Sequence, residues 1–391
     1  MVIVQKYGGT SVANAERIIN AARRIVSAKQ VGNNVVVVVS AQGSMTDSLL
    51  EKARAVNPAA GKRELDMLLC TGEQQSAALL AMAIQGLGFS AVSLNAVQVG
   101  IKSTETYGNA LIQNVETARI LSEFKKGNIV IVAGFQGVNR REDLTTLGRG
   151  ASDTTAVALA AVLKADVCEI CTDVDGIYTA DPRLIANAMK LDSVSYDNML
   201  ELTASGLQKP HNRAVKMAKR FGVKILVRSS LTDAQGTWIK EAADVEDVIV
   251  SGIVVDRNIT RVTVAGLECG AACDIFALLA GAEIDVDTIQ QNTDENLSFT
   301  VPKHDVKNVK ETLGGYNLDV CENLAKLTVV GVGLGLGKIN DVLSALKDSE
   351  IDIKMITTGE IKISVLVDER AAATAAKTVH DRLFPQRSED A

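Results

Sequence analysis

Val2-Ile-Val-Gln-Lys6-Tyr7-Gly8-Gly9-Thr10-Ser11-Val12 passes from an apolar, β-branched run through a lysine and a glycine pair to the edge of a periodic segment, Ala15–Lys29. The run has the length and near-continuous apolar character of a strand buried on both faces. Ala15–Lys29 carries Ile18, Ile19, Ala22, Ile25 and Val26 on one face, with Arg17, Arg23, Arg24 and Lys29 mostly elsewhere, as a helix packed along one side should. A strand that turns through glycines into a helix N-terminus brings backbone amides and partial positive charge to an anion, and Lys6 adds a full charge. The lysine precedes the glycines, so the order is not that of a Walker loop. A tight turn with a surface lysine would read the same way, so the stretch decides nothing about chemistry by itself.

Outward from it the alternation continues. Val35–Val39, Phe89–Leu94, Ile129–Val132, Val167–Cys171 and Val223–Val227 read as further buried strands, and Leu65–Ile84 and Asp153–Leu163 as helices apolar nearly all round. Strands alternating with helices predict an α/β domain, a central mainly parallel sheet flanked by helices, from Met1 to about residue 232. Thr232–Asp247 is polar and acidic, and a linker is expected over 233–247. Beyond it the chain repeats itself. Arg261-Val-Thr-Val-Ala-Gly266 matches Lys326-Leu-Thr-Val-Val-Gly331, and Leu279-Ala-Gly-Ala-Glu-Ile-Asp285 matches Leu346-Lys-Asp-Ser-Glu-Ile-Asp352, roughly 66 residues apart. Each copy reads strand–helix–strand–strand–helix, which predicts tandem ferredoxin-like units over 248–391. They offer no nucleophile or acid–base pair, so they read as a binding module.

Composition narrows the function. The 391 residues are 47% hydrophobic and 23% charged, with a net charge of −6 and scattered Lys and Arg, which argues against disorder and against a nucleic-acid surface. No run approaches the roughly 18 residues of a membrane span, and Met1-Val-Ile-Val-Gln-Lys6 lacks the pattern of a signal peptide, so a cytoplasmic protein without membrane contact is expected. Six cysteines in a chain this long make no disulfide scaffold. Cys168-Glu-Ile-Cys171 has CxxC spacing but lies in an apolar strand, where buried structural thiols are expected. The histidines His211, His304 and His380 belong to different elements. Only His211 has a functional case, from its place in Gly206–Arg213, and the other two read as surface residues. Gly331-Val-Gly-Leu-Gly-Leu-Gly337 fails the dinucleotide spacing and reads as a turn in the repeat.

Two more segments suit an anionic ligand. Thr145-Thr-Leu-Gly-Arg149-Gly-Ala-Ser-Asp153 opens a helix, with Ser152 or Asp153 as a natural cap and Arg149 able to grip a carboxylate or phosphate. Cys171-Thr172-Asp173-Val-Asp-Gly-Ile-Tyr178 through Arg183 follows a strand, where nucleotides bind in open α/β sheets. Its acids fail the calcium-loop pattern at Ile177. Two anion-shaped turns and an acidic loop suggest phosphoryl transfer, which needs positioning and positive charge more than covalent help.

Lys6-Tyr-Gly-Gly-Thr-Ser-Val12 resembles the K-[FY]-G-G-[TS]-S signature of aspartokinases. Val39-Ser-Ala-Gln-Gly43, Thr71-Gly-Glu73, Val132-Ala-Gly-Phe-Gln-Gly137, Thr146-Leu-Gly-Arg-Gly150 and Thr172-Asp-Val-Asp-Gly-Ile-Tyr178 follow in the family's order, and the C-terminal repeat resembles its tandem ACT domains. The resemblance implies the amino-acid kinase fold over 1–232. It also implies a first ACT domain over about 258–325, inserted in a second formed by about 248–257 and 326–385. It implies ATP-dependent phosphorylation of the side-chain carboxylate of L-aspartate to 4-phospho-L-aspartate, with ATP and Mg²⁺ and no dedicated protein metal site. Lys6 and Asp153 would be catalytic, and Ser40, Thr46, Glu73 and Arg149 would hold aspartate, Arg149 by its α-carboxylate and Glu73 by its ammonium. Lys6, Gly8, Gly9, Thr172, Asp173, Tyr178, Arg183 and Lys209 would bind the nucleotide. An amino-acid effector at the ACT domains and a homodimer or higher homo-oligomer built through them are also implied.

The chain departs from the family at several places. Gln42 and Ser44 stand in S-A-M-G-x-T-T-D, Gln74 stands in G-E-R, and Ala151 adds a methyl to G-R-G-G-S-D. Gln208 takes the usual lysine position of G-A-K-V-L-H, leaving Lys209 as its substitute beside a helix-ending Pro210. The ligand loops of the repeat lack D-x-P-G, which predicts weak or absent inhibition by lysine or threonine. An acyl-phosphate-forming enzyme for another amino acid, or a catalytically weak amino-acid sensor, are the competing readings.

Overall fold

A computed structural model describes residues 1–148, 150–242, 249–267, 270–292 and 296–385. They form two compact units: Met1–Ile177 with Lys190–Thr203 and Gln208–Val245, and Tyr178–Met189 with Ala204–Leu207 and Glu246–Ala391.

The first unit runs β1 (Val2–Tyr7), α1 (Ala15–Gln30), β2 (Asn34–Val39), α2 (Met45–Val56), α3 (Lys62–Gly86), β3 (Ala91–Leu94), α4 (Ala96–Val99), β4 (Ile101–Ser103), β5 (Ile112–Val115), α5 (Ala118–Lys125), β6 (Ile129–Ala133), β7 (Gln136–Val138), β8 (Leu144–Thr146), α6 (Ala151–Val162), β9 (Val167–Thr172), β10 (Ser193–Ser195), α7 (Tyr196–Ala204), α8 (Asn212–Phe221), β11 (Ile225–Ser229) and β12 (Thr237–Lys240). Eight strands make one sheet in the order β10-β12-β11-β9-β1-β2-β6-β3, parallel throughout except between β11 and β12. This is the mainly parallel α/β sheet that the alternation predicts.

The run of valines in β2 explains the layering. Val35, Val37 and Val39 share a core with Ile18 and Ile25 of α1 and Leu80 and Ile84 of α3. Val36 and Val38 are equally buried toward the opposite face, where α6 packs on β1, β2 and β9. Each such side chain contributes about 1.5–3 kcal/mol when fully buried, so a polar residue at either parity would be costly. A second sheet, β5-β4-β7-β8, has no counterpart in the sequence reading, because its strands are three or four residues long and lack an apolar run. Asp66 of α3 holds its β8 edge, accepting from the Thr146 hydroxyl at 2.7 Å and from the Thr146 and Gly108 N–H groups at 2.9 Å.

The second unit contains β13 (Ile249–Ala265), α9 (Ala271–Gly281), β14 (Ile289–Asn292), β15 (Asn296–Val301), α10 (Val306–Thr312), β16 (Asn317–Val332), α11 (Leu336–Asp348), β17 (Met355–Thr358), β18 (Lys362–Asp368) and α12 (Ala372–Leu383). The strand–helix–strand–strand–helix repeat is present, yet its two copies share one antiparallel sheet, ordered β14-β15-β13-β16-β18-β17. β13 and β16 each serve both copies. Val254 and Val255 pair with Thr328 and Leu327, and after an irregularity at Asp256–Ile259 the strand continues by pairing Val262 and Val264 with Val320 and Leu318. Separate cores lie under the halves, one around Phe299 and Leu279 and one around Val329, Val342 and Val379. The Gly331–Gly337 run ends β16, turns at Gly333–Gly335 and opens α11, a turn within the repeat as expected. Glu268 and Cys269, in the first ligand-loop position of the repeat, lie outside the described residues, as does part of the expected linker.

His380 is not the surface residue that the sequence suggests. It lies on the inward face of α12 with Ala372, Ala376, Val379 and Leu383, is fully buried, stacks on Phe384, and shares a 2.9 Å hydrogen bond with the Thr179 hydroxyl. The segment Tyr178–Met189 is held in this unit by that bond and by the Ile253 N–H on the Thr179 carbonyl at 2.7 Å. His304 is exposed, as expected.

Candidate active site

Parallel register brings the carboxyl ends of the central strands together. Tyr7 lies opposite Val39 on one side and Cys171 on the other. The turns then lace to one another: Ser40 N–H donates to the Tyr7 carbonyl at 3.1 Å, Gly134 N–H to Val39 at 3.0 Å and Gly8 N–H to Cys171 at 3.4 Å. The segments after β1, β2, β6 and β9 therefore share one edge of the sheet, the usual place for ligands in such folds.

Strand alternation puts Lys6 on the same face as Val4, toward α6. There its ammonium meets Asp153 Oδ1 at 2.7 Å, with side chains only 11% and 5% exposed. The other oxygen, Oδ2, accepts the His211 backbone N–H at 3.0 Å. Asp153 is not the cap of α6. Gly150, at φ +70°, occupies that position, and Asp153 sits in the first turn with its carboxylate free to turn toward Lys6. The glycine pair differs internally. A Cβ on Gly9 would lie 2.6 Å from the Ala41 carbonyl oxygen, and the Gly43 N–H donates to Gly9 at 3.0 Å, so the turns after β1 and β2 lock through this residue. A Cβ on Gly8 would meet only the Lys6 ammonium, at 3.6 Å.

Glu73 reaches this region from α3, where Gly72 permits close packing on Ala41. Its Oε1 accepts the Ala41 N–H at 3.0 Å, while the buried Oε2 has no partner among the described residues. Burial pushes the carboxyl up to about 7, against the opposing effects of the Ala41 N–H and the Lys6 charge. An unsatisfied buried acceptor costs about 1–3 kcal/mol, and such groups are characteristic of sites that receive a donor from a ligand. Ser40 follows β2 and Thr46 lies in the first turn of α2, both half-buried. Gln42, one of the departures, donates through Nε2 to the Val12 carbonyl at 3.0 Å and so is engaged in fixing the β1 turn.

On the neighbouring loop, Lys209 donates to the Thr172 hydroxyl and to Asp173 Oδ1, both at 3.1 Å, and Thr172 also donates to Asp173. Burial works to raise the Asp173 carboxyl, but these bonds outweigh it and hold the group below its ordinary range. Lys209, not the exposed Gln208, thus occupies this loop. The stretch 205–211 is non-helical, in keeping with Pro210. Tyr178 and Arg183 belong to the second unit, and Arg183 forks onto Asp181 at 2.7–3.2 Å. Arg149 lies outside the described residues. Lys6, Gly8, Gly9, Ser40, Glu73, Asp153, Thr172, Asp173 and Lys209 all lie on this edge of the first unit, with Thr46 on the adjoining helix.

The Ala151 methyl is 1% exposed and packs with Ala110 and Leu147. Arg213 enters the sequence reading only as the end of Gly206–Arg213, with no role of its own. It donates to the carbonyls of Leu147 and Ala110, contacts no local pattern could reveal. Cys168 and Cys171 are buried, and burial raises both thiols, Cys171 to about 12, as structural cysteines should be. Among the described residues no three His, Cys, Asp or Glu side chains converge to hold a metal, and no helix is long and apolar enough to cross a membrane.

A sequence model of the amino acid kinase family matches residues 1–229, and one of an ACT domain matches residues 327–383. The chain is 45% identical over 402 residues to the aspartokinase of Corynebacterium glutamicum, covering 97% of this chain and 96% of the relative. It is 46% identical over 392 residues to that of Geobacillus stearothermophilus, with the same coverages. In fold it is similar to aspartokinase III of E. coli, a structure in complex with aspartate and ADP, with a TM-score of 0.82 and 24% identity over 98% of this chain and 100% of the other.

Proposed function

The chain belongs to the amino acid kinase family, among the aspartokinases, and from that premise we infer how its residues carry the transfer of a phosphoryl group from ATP to the side-chain carboxylate of L-aspartate. The product is 4-phospho-L-aspartate, the first intermediate of the aspartate-derived amino acids. The observation that carries the assignment of roles is the buried Lys6–Asp153 pair, set one strand from a glutamate with an unclaimed buried oxygen.

Lys6 stabilises the charge on the phosphoryl group in flight, with the Gly8 and Gly9 amides beside it. Asp153, anchored from behind by His211, holds the ammonium in place; such preorganised charge is the main resource of phosphoryl transfer. Glu73 receives the substrate ammonium on Oε2, Arg149 takes the α-carboxylate, and Ser40 and Thr46 complete the amino-acid side. Thr172, Asp173 and Lys209 serve the nucleotide. Mg²⁺ fits as an ion that arrives on the phosphates, since it needs only one or two protein carboxylates, and Asp153 is the carboxylate at hand. When bound, it neutralises charge on the β- and γ-phosphates.

We assign 1–232 to the catalytic domain and 233–247 to a linker. The region 248–391 forms the tandem ACT region, with about 258–325 inserted between about 248–257 and 326–385. Its shared sheet supports an amino-acid effector role and assembly into a homodimer or larger oligomer. Trapping the acyl phosphate with hydroxylamine, with ATP and Mg²⁺ across a panel of amino acids, tests the whole reading. Hydroxamate is expected with aspartate; product only with another amino acid, or with none, overturns it.

A further inference from the structure

In the first unit β9 lies between β1 and β11, and the turns that leave those two flanking strands meet beyond its end. Ser11, in the short helical turn Gly9–Val12 after β1, and Ser230, immediately after β11, are each 2% exposed, and their hydroxyl oxygens lie 2.7 Å apart. Neighbouring strands stand about 4.8 Å apart, so this bond closes a gap that is roughly twice that in the sheet. Ser230 is bound at its backbone atoms too. Its N–H donates to the Thr172 carbonyl at 2.7 Å, continuing the β11–β9 ladder, and its carbonyl accepts from Asn20 Nδ2 of α1 at 3.0 Å. Ser229 accepts the Leu231 and Thr232 N–H groups on Oγ at 3.0 and 3.2 Å, which closes the turn behind Ser230. On its other side the glycine turn is laced to the β2 turn through Gly9 and Gln42. Its backbone bond toward β9, Gly8 N–H to Cys171, is 3.4 Å long, against about 2.9 Å for an ordinary one.

We infer that Ser230 is a positioning residue for the nucleotide, acting with Ser11 as a tie across the end of β9. The inference deepens the proposed function, because it rests on the glycine turn taking the phosphates and on Thr172 and Asp173 serving the same nucleotide. Through its hydroxyl Ser230 holds the turn that follows Lys6, and through its N–H it holds the residue whose side chain bonds Lys209 and Asp173. One residue thus sets the place of the glycine turn against that of the neighbouring loop. While the tie is made, the nucleotide meets both already in place. Without it the turn occupies its competent position only part of the time, and the apparent affinity falls by that fraction. The amino-acid side stands apart from this tie. Ser40 and Thr46 follow β2, and Glu73 is bound to Ala41, all across β1 from β9.

The test titrates the full-length chain with ADP and Mg²⁺ by calorimetry, for wild type, Ser230→Ala, Ser11→Ala and the double variant. Alanine at either position removes a hydroxyl and keeps the backbone bonds. Kd for ADP should rise about five- to tenfold in each single variant, the scale of one ordinary hydrogen bond. The double variant should lie within about twofold of the singles, since either substitution already breaks the pair. Steady-state kinetics supply the split: KM for ATP should rise likewise, with KM for aspartate within about twofold of wild type. If Ser230→Ala fails to fold, Ser11→Ala breaks the same bond from its other end. A Kd for ADP within about twofold of wild type in the folded variants overturns the tie. So does a double variant whose loss is the product of the single losses, since the hydroxyls would then act on the nucleotide separately. An equal rise in KM for aspartate marks a general loosening of the unit and overturns it as well. A wild type that binds ADP but yields no hydroxamate with aspartate fails the functional reading and leaves the tie measurable; one that binds no ADP fails both.

Discussion

Lys6 and Asp153 meet at 2.7 Å with side chains 11% and 5% exposed, whereas Lys209 and Asp173, one strand along, meet at 3.1 Å with 41% and 43% exposed. The first pair is desolvated, a costly arrangement that persists only because a further hydrogen bond from His211 satisfies the second oxygen. The second is open to water, and an exposed pair of this kind contributes only about 0–1 kcal/mol. The difference suits two tasks. A group that stabilises a transition state must not reorganise during the reaction, so it is buried and braced. On the proposed roles, a group that admits and releases a nucleotide must exchange its partner easily, which an exposed carboxylate contact allows.

Removing each lysine should therefore have different consequences. Lys6→Ala is expected to lower kcat by at least about 10²–10³-fold, the scale of losing one charge-stabilising donor, and to lower the melting temperature by leaving Asp153 buried without its partner. Turnover within tenfold of wild type, measured by coupled ADP release, would break the contrast between the pairs.

Glu73 sharpens the same contrast, because it is buried like Asp153 but lacks a cation. Its carboxyl titrates near 7, and only the charged form attracts an ammonium. KM for aspartate should therefore rise as pH falls through 7, by up to about tenfold per unit below it. Glu73→Gln should raise KM strongly and abolish this dependence. The folded-state value lies above the ordinary 4.5, so the folded chain binds this proton more tightly than the unfolded one. Its contribution to stability is thus greatest below about 4.5 and declines as pH rises to 7, by roughly 3 kcal/mol in all. At pH 8 the Gln variant should melt higher than wild type, by calorimetry; a lower melting temperature would refute the burial cost.

Lys209→Met carries a smaller expectation. A charged hydrogen bond to phosphate is worth about 1.5–3 kcal/mol, so KM for ATP should rise about tenfold or more with kcat within threefold of wild type. The wild-type KM for ATP should also climb with salt as surface charge is screened, and the variant's should climb less. A variant with reduced kcat and unchanged KM would make the outer pair part of the same rigid machinery as the inner one.

What could be read from the sequence follows the range of the forces involved. Val2–Tyr7 and Val35–Val39 declare themselves because strands buried on both faces are apolar at nearly every position. Lys6 declares itself as the charge that interrupts such a run. Asp153 was legible as a site residue but not in its local role, since a left-handed Gly150 takes the cap and the His211 ring, roughly 60 residues away, fills the space a side chain there would need. Arg213 was invisible because its acceptors are carbonyls 66 and 103 residues distant, which no side-chain pattern encodes. The repeat predicted two ferredoxin-like units but not their fusion through β13 and β16, because a strand's edge pairing is written in backbone hydrogen bonds. His380 misled for the opposite reason: a polar residue on an apolar helix face is buried when one buried hydroxyl, Thr179, meets it.

The smallest expected effect concerns Ala151, where the family has glycine. Were the methyl directed at the substrate, restoring glycine would improve aspartate binding. It packs instead with Ala110 and Leu147. Ala151→Gly should then leave kcat and KM for aspartate within twofold and cost about 1–2 kcal/mol of stability, the sum of a lost buried methyl and a glycine in the first turn of α6. A tenfold gain in kcat/KM would mean that the methyl reaches the substrate.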